Sequence, residues 1–162
     1  DNATMEFQGH TLLEHMVRLV STAASPVRIV GRGNLTDKVP GCGPLGGIHT
    51  ALDVTESESN LFVAVDLPLL TPEFLKWFCE HLIATSKQLV ACRIGNDFPL
   101  CLGIRRTVRS EVSRRIDDSN LALHRFIREM DSDILSELEI QTAGFPSSMF
   151  HNLNTPDDWQ RL

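Results

Sequence analysis

Three short stretches of this sequence hold residue types that could do chemistry together. The first ends in Asp66, which follows the run Leu61-Phe62-Val63-Ala64-Val65. A run apolar at every position predicts a strand covered on both faces of a parallel sheet, with the carboxylate at its C-terminal edge. A short acidic side chain there, with no basic neighbour in sequence, suits Mg²⁺, which takes one or two carboxylates and fills its shell with substrate phosphates and water. The same Asp could instead cap the turn over Leu67–Thr71. The second stretch, Gly41-Cys42-Gly43-Pro44-Leu45-Gly46-Gly47, strips side chains from a loop that leads into the periodic segment Ile48–Leu52. Its backbone amides could approach a nucleotide at a helix N-terminus, or the glycines could simply make a turn. It is neither a P-loop nor a dinucleotide fingerprint. In the third, Asn152 and Asn154 flank Leu153, so extended backbone points both carboxamides to one side before Thr155, where they could hydrogen-bond a ligand or, as Asn before a helix more often does, simply cap it.

The elements that must position these residues are readable from caps and periodicity. Thr11-Leu12-Leu13-Glu14 is a capping box, followed by a stripe of Leu12, Met16, Leu19 and Val20. Thr71-Pro72-Glu73 starts a second helix carrying Phe74, Leu75, Phe78 and Leu82, and Asn154-Thr155-Pro156 starts a terminal one running to Trp159. Val27–Val30, Gln88–Ile94, Leu100–Ile104 and Leu138–Gln141 read as strands, and Val108–Ile116 and Leu121–Met130 as helices. Strands alternating with helices predict a three-layer α/β/α sandwich, Rossmann-like, with a mostly parallel sheet. Ligands of such sheets bind beyond the carboxyl ends of the strands, where Asp66 and the glycine loop would meet.

The chain has 162 residues, 42% hydrophobic and 22% charged, enough for one ordinary core and no disordered class. Fifteen Lys and Arg against 21 Asp and Glu give a net charge of −6, which disfavours a nucleic-acid partner. No apolar stretch nears the ~20 residues of a membrane span, and Asp1–Phe7 does not resemble a secretion signal, so the expected location is the cytoplasm. Cys42, Cys79, Cys92 and Cys101 form no C-x-x-C pair and read as free thiols. The six histidines form no catalytic pattern, and Arg105-Arg106 and Arg114-Arg115 read as solvated or ion-paired.

Taken in order, the segments resemble the molybdenum cofactor guanylyltransferases, the MobA-like nucleotidyltransferases. They are Asp1-Asn2-Ala3, Gly9-His10-Thr11-Leu12-Leu13-Glu14-His15, Gly43-Pro44-Leu45-Gly46-Gly47-Ile48, Val65-Asp66-Leu67-Pro68, Pro99-Leu100-Cys101-Leu102-Gly103 and Asn152-Leu153-Asn154-Thr155-Pro156-Asp157. The resemblance implies a nucleotide-diphospho-sugar transferase-like fold that moves GMP from GTP to molybdopterin and releases pyrophosphate. It implies Asp66 as the catalytic Mg²⁺-binding aspartate, and Asp37, Gly43, Pro44 and Leu45 with Asp66 as nucleotide contacts. Asn152 and Asn154 fall on the molybdopterin side, and molybdoenzyme chaperones are possible partners.

Two departures stand out. The family's opening strand and glycine-rich triphosphate loop are not found within residues 1–162, which read as one nucleotidyltransferase-like domain without them. A sheet lacking that strand would expose unpaired edges, so the expectation is that the loop lies upstream of Asp1. The family's Lys after the first Asp is Asn2 here, which removes a positive charge near the phosphates. A cytidylyltransferase, a guanylyltransferase for another phosphorylated metabolite, or a non-catalytic molybdopterin- or chaperone-binding module are the competing readings. The Gly-Pro-Leu-Gly-Gly segment leans toward guanine.

Overall fold

The structure is a computed structural model describing residues 1–33 and 35–159. Local sequence signals place most of its elements. A two-residue hairpin, β1 (Glu6–Phe7) with β2 (His10–Thr11), turns through left-handed Gln8 and Gly9. It runs straight into α1 (Leu12–Ser21), where Glu14 N–H donates to the Thr11 hydroxyl (3.2 Å) and Thr11 N–H donates to Glu14 Oε2 (2.9 Å). Then follow α2 (Gly43–Val54), β3 (Ser59–Val63) and α3 (Pro72–Ala84), the last begun by Phe74 N–H donating to the Thr71 hydroxyl at 3.1 Å. The rest comprises β4 (Leu89–Arg93), β5 (Cys101–Arg105), α4 (Arg109–Asp117), α5 (Leu123–Glu129), β6 (Ser132–Ser136), α6 (Glu137–Thr142) and α7 (Pro156–Trp159).

The main sheet has the order β3-β5-β4-β6. Strands β3, β4 and β6 run the same way and β5 runs against them, so the neighbours form two antiparallel pairs and one parallel pair. Alternation divides the core cleanly. Val90, Cys92, Cys101 and Leu135 face α1, α3 and α6, packing against Met16, Phe74, Phe78 and Ile140. Leu89, Ala91, Leu102 and Ile104 face α2, α4 and α5, packing against Ile48, Leu52, Val112 and Phe126. This is the predicted three-layer α/β/α sandwich, its sheet mixed where a mostly parallel one was expected, because β5 runs against its neighbours. On the second face Arg115 is buried, donating to Glu111 (2.9 Å) and Glu129 (2.8 Å) and lying 5.4 Å from the Phe126 ring centroid, which fastens α4 to α5.

Three expectations change. Val27–Val30 is not a strand: its hydrophobic character does not bring it a ladder partner among the described residues. Leu138–Gln141 is helix, because Ser136 accepts Glu139 N–H at 3.1 Å and caps α6; the late strand is Ser132–Ser136 instead. Strand β3 is half-buried along its whole length, since it stands at the sheet's edge among the described strands rather than in its middle. All four cysteines are free thiols, and burial pushes Cys79, Cys92 and Cys101 up, away from reactivity. No helix among the described residues is long and apolar enough to cross a membrane.

Helix α3 lies close over β5 because Gly103 has no side chain. A Cβ there would stand 2.6 Å from Leu82 Cδ1 and 3.0 Å from its Cγ. Chemical denaturation should show Gly103→Ala destabilised by about 1–3 kcal/mol. Placed in a Leu82→Ala background, the same substitution should cost clearly less.

Candidate active site

Asp66 is set in place by backbone on both sides. Ala64 N–H donates to the Leu100 carbonyl (2.9 Å), extending the pairing past β3 before the chain turns through Val65 and Asp66. The Asp66 carbonyl then accepts the Leu153 N–H at 3.1 Å. Leu153 is buried with Phe7 and Leu12, and Val65 packs on that cluster, which leaves Asn152 and Asn154 exposed beside it, as alternation requires. The backbone of Asn154 is fixed in turn: its N–H and that of Thr155 both donate to Asp158 Oδ2 (3.0 and 2.8 Å) at the start of α7. Asn2 Nδ2 donates to Asn154 Oδ1 at 3.1 Å. The structure thus brings the predicted metal aspartate and the predicted acceptor asparagines into one group.

The Asp66 carboxylate is half-buried, has no ion-pair partner among the described residues, and is pushed above its ordinary range by desolvation. A lone, partly desolvated carboxylate is short of exactly what a cation supplies. Among the described residues no cluster of three or more metal-ligating side chains forms, so a metal held here would draw its remaining ligands from substrate and water, the habit of Mg²⁺. The residues present therefore fit that ion.

The second group gathers at the start of α2. Gly43 is left-handed (φ +57°), Cys42 provides no side-chain cap, and the first-turn amides are not closed by one. Leu45 is fully buried in the core, so its contribution to a ligand is confined to its backbone. Asp37 packs over this turn. Its Oδ2 would stand 3.4 Å from a Cβ on Gly46, and its Oδ1 is buried with no hydrogen-bond partner among the described residues. The loop carrying Asp37 is fastened to α2 by Lys38 N–H donating to the Thr50 hydroxyl (3.2 Å) and by the Lys38–Asp53 ion pair, Asp53 also binding Arg109 at 2.7 Å.

Topology puts both groups on one edge. A 12-residue helix covers ~18 Å and the five-residue β3 covers ~17 Å. A short turn joins the end of α2 to the start of β3, and the two pack in the same core. The N-terminus of α2 and the Asp66 end of β3 therefore lie at the same carboxyl edge. Beyond Leu69 a cavity of about 430 Å³ opens, walled mainly by Leu69, Phe145 and Met149 with Glu73 and Ser148 at its polar side.

Sequence reasoning missed His15. Its Nε2 donates to the Pro68 carbonyl at 3.0 Å and its ring meets Phe7 edge-on at 4.5 Å, so α1 and the hairpin hold the Asp66–Pro68 turn. The partners lie far apart in sequence, and only the Leu-Leu-Glu-His segment, read as a cap, marked the spot.

A site of exposed amides, glycine turn and strand-end carboxylate on an α/β/α sandwich defines a nucleotide-handling class, and comparison with known proteins narrows it. Residues 1–134 match the MobA-like NTP transferase domain. The chain is 33% identical over 141 residues to the probable molybdenum cofactor guanylyltransferase of Thermococcus kodakarensis, covering 86% of this chain and 67% of that protein. It is 28% identical over 169 residues to the molybdenum cofactor guanylyltransferase of Xanthomonas euvesicatoria pv. vesicatoria, covering 100% and 85%. Among solved structures, molybdopterin-guanine dinucleotide biosynthesis protein A from Archaeoglobus fulgidus superposes with a TM-score of 0.75 at 19% identity, over 99% of this chain and 87% of that one. The chain belongs to the MobA-like NTP transferase family.

Replacing His15 by Ala removes a hydrogen bond and a ring contact that hold the turn, and should cost about 1–2 kcal/mol of stability in urea titrations. His15→Gln, which keeps an N–H donor, should recover part of that loss.

Proposed function

We propose that the protein is a molybdenum cofactor guanylyltransferase, moving GMP from GTP to the terminal phosphate of molybdopterin. The observation that carries the choice of site is the Leu153 N–H to Asp66 carbonyl bond, which sets the acceptor-side asparagines beside the strand-end carboxylate. In the reaction an acceptor phosphate oxygen attacks the α-phosphorus of GTP, a new P–O–P bond forms, and the bond to the departing pyrophosphate breaks. Such a transfer asks the protein mainly for alignment and for neutralising charge.

The chain's residues divide that work. The open amides at the start of α2 receive phosphate oxygens, aided by the helix dipole. Asp37 supplies the preference for guanine, whose adjacent N1–H and N2–H groups can both donate to one carboxylate. Asn152 and Asn154 hold the acceptor phosphate with carboxamide N–H groups, and the apolar cavity beyond Leu69 accommodates the acceptor's ring system. Asp66 would hold Mg²⁺, which when bound neutralises phosphate charge. The protein acts in the cytoplasm with soluble substrates and hands its product to molybdoenzymes, with a chaperone as a possible intermediary.

The test is incubation of the full-length protein with Mg²⁺, GTP and molybdopterin, followed by chromatography for the dinucleotide and pyrophosphate. Formation of both, with GTP outcompeting CTP, is the expected result. Faster transfer from CTP would assign the cytidylyl reaction, and tight molybdopterin binding without any transfer would assign a binding module.

Asp66 also makes a prediction whose sign runs against intuition. Its folded pKa lies above the ordinary value of 3.8, so ionising it weakens the fold as pH rises through the folded value. Without metal or nucleotide, Asp66→Asn should therefore raise Tm at pH 7. The advantage should vanish below pH 3.8, where the wild-type carboxyl is neutral too. The same variant should lose transfer by about 10²-fold or more.

A further inference from the structure

Asn2 stands where the family resemblance implies a lysine, and its side chain is engaged in a hydrogen bond. The turn that holds it is fixed: Asp1 accepts Ala3 N–H at 3.2 Å, Asp1 pairs with Arg32, and Met5 N–H donates to the Asn2 carbonyl at 3.2 Å. Leu12 N–H donates to Met5 O at 2.7 Å, joining this turn to the first residue of α1. From that base Asn2 Nδ2 donates to Asn154 Oδ1 at 3.1 Å. The backbone of Asn154 is pinned independently by Asp158 Oδ2, and Leu153 by the Asp66 carbonyl. The side chain of Asn154 is exposed, and the hydrogen bond from Asn2 is what restrains its carboxamide.

A carboxamide has an acceptor end and a donor end, and only the donor end suits a phosphate. With its oxygen occupied by Asn2, Asn154 must turn its NH₂ group outward, to the exposed side. We propose that Asn2 is a positioning residue that orients the Asn154 carboxamide so that its N–H groups face the anionic acceptor. The proposal rests on the acceptor-side role given to Asn154 above. It also gives the missing lysine charge a different reading. Position 2 acts here by donating to a neighbouring amide, a task that a neutral donor performs.

The test uses Asn2→Ala and Asn2→Lys in the full-length protein, with initial rates measured against molybdopterin and GTP separately. Asn2→Ala frees the carboxamide and should raise the KM for the acceptor about three- to tenfold, with the KM for GTP and kcat within twofold of wild type. Asn2→Lys retains a donor to Asn154 Oδ1 and should keep the acceptor KM near the wild-type value. An unchanged acceptor KM in Asn2→Ala, or equal increases for both substrates, would overturn the proposal. A second readout does not need turnover: the side-chain ¹⁵N–¹H resonances of Asn154, assigned by comparison with Asn154→Ser, should shift and sharpen toward free-amide behaviour in Asn2→Ala and stay put in Asn2→Lys. If the protein transfers nothing from GTP, the guanylyltransferase reading fails, while unchanged Asn154 resonances in Asn2→Ala would sink the orientation claim separately.

Discussion

The site depends on one backbone hydrogen bond, Leu153 N–H to the Asp66 carbonyl at 3.1 Å. Alone such a bond contributes about 0.5–1.5 kcal/mol, too little to hold a segment that returns from the far end of the chain. The adhesion comes from Leu153, whose buried side chain joins Phe7 and Leu12 and meets Val65, a burial worth roughly 1.5–3 kcal/mol. The hydrogen bond's role is register. Because side chains alternate in extended backbone, a slip of one residue would bury an asparagine and expose the leucine. Apolar burial thus fixes that Asn152 and Asn154, rather than Leu153, face outward.

The same packing has a cost that falls on the carboxylate. The turn leaves the Asp66 carboxylate half-buried, and desolvation raises its pKa without an ion pair among the described residues to offset it. A structural aspartate would be selected for a partner. On the reading proposed above, the destabilisation stored in this half-buried carboxylate is relieved by a bound ligand. Asp37 repeats the arrangement at the start of α2, with one carboxylate oxygen buried and unpartnered among the described residues. Two carboxylates without partners among the described residues thus stand on one edge of the sheet.

What was legible in the sequence was local. The Thr11 and Thr71 caps announced α1 and α3 because a cap needs only residues three apart. The Ser136-to-Glu139 cap was written in the same code and overrode the apolar look of Leu138–Gln141. Strand β3 was recognisable from its apolar run, yet its half-burial was not, because a strand's position in the sheet depends on neighbours that its own residues do not name. Val27–Val30 shows the converse: β-branched residues favour extension but do not supply a partner. Asp66 and the glycine turn could be singled out by type and order and Asp37 only through the family resemblance, whereas the His15–Pro68 and Asn2–Asn154 bonds could not, since each joins segments remote in sequence.

The cations around the site complete the physical picture. Lys38 and Arg109 share Asp53, Arg32 pairs with Asp1, and Arg18 lies 2.9 Å from His10 Nε2. Each is engaged in holding a loop or helix in place, so recruiting one to a phosphate would release the segment it anchors. On the reading proposed above, these residues meet phosphate charge through fixed dipoles, the open amides of α2 and the carboxamides of Asn152 and Asn154, beside the ion that Asp66 would hold. Dipoles fixed by folding need no reorganisation when charge shifts from the α-phosphorus to the leaving pyrophosphate, which is where a preorganised site gains over water. On that reading, and among the described residues, the precision of the backbone counts for more than the number of charges.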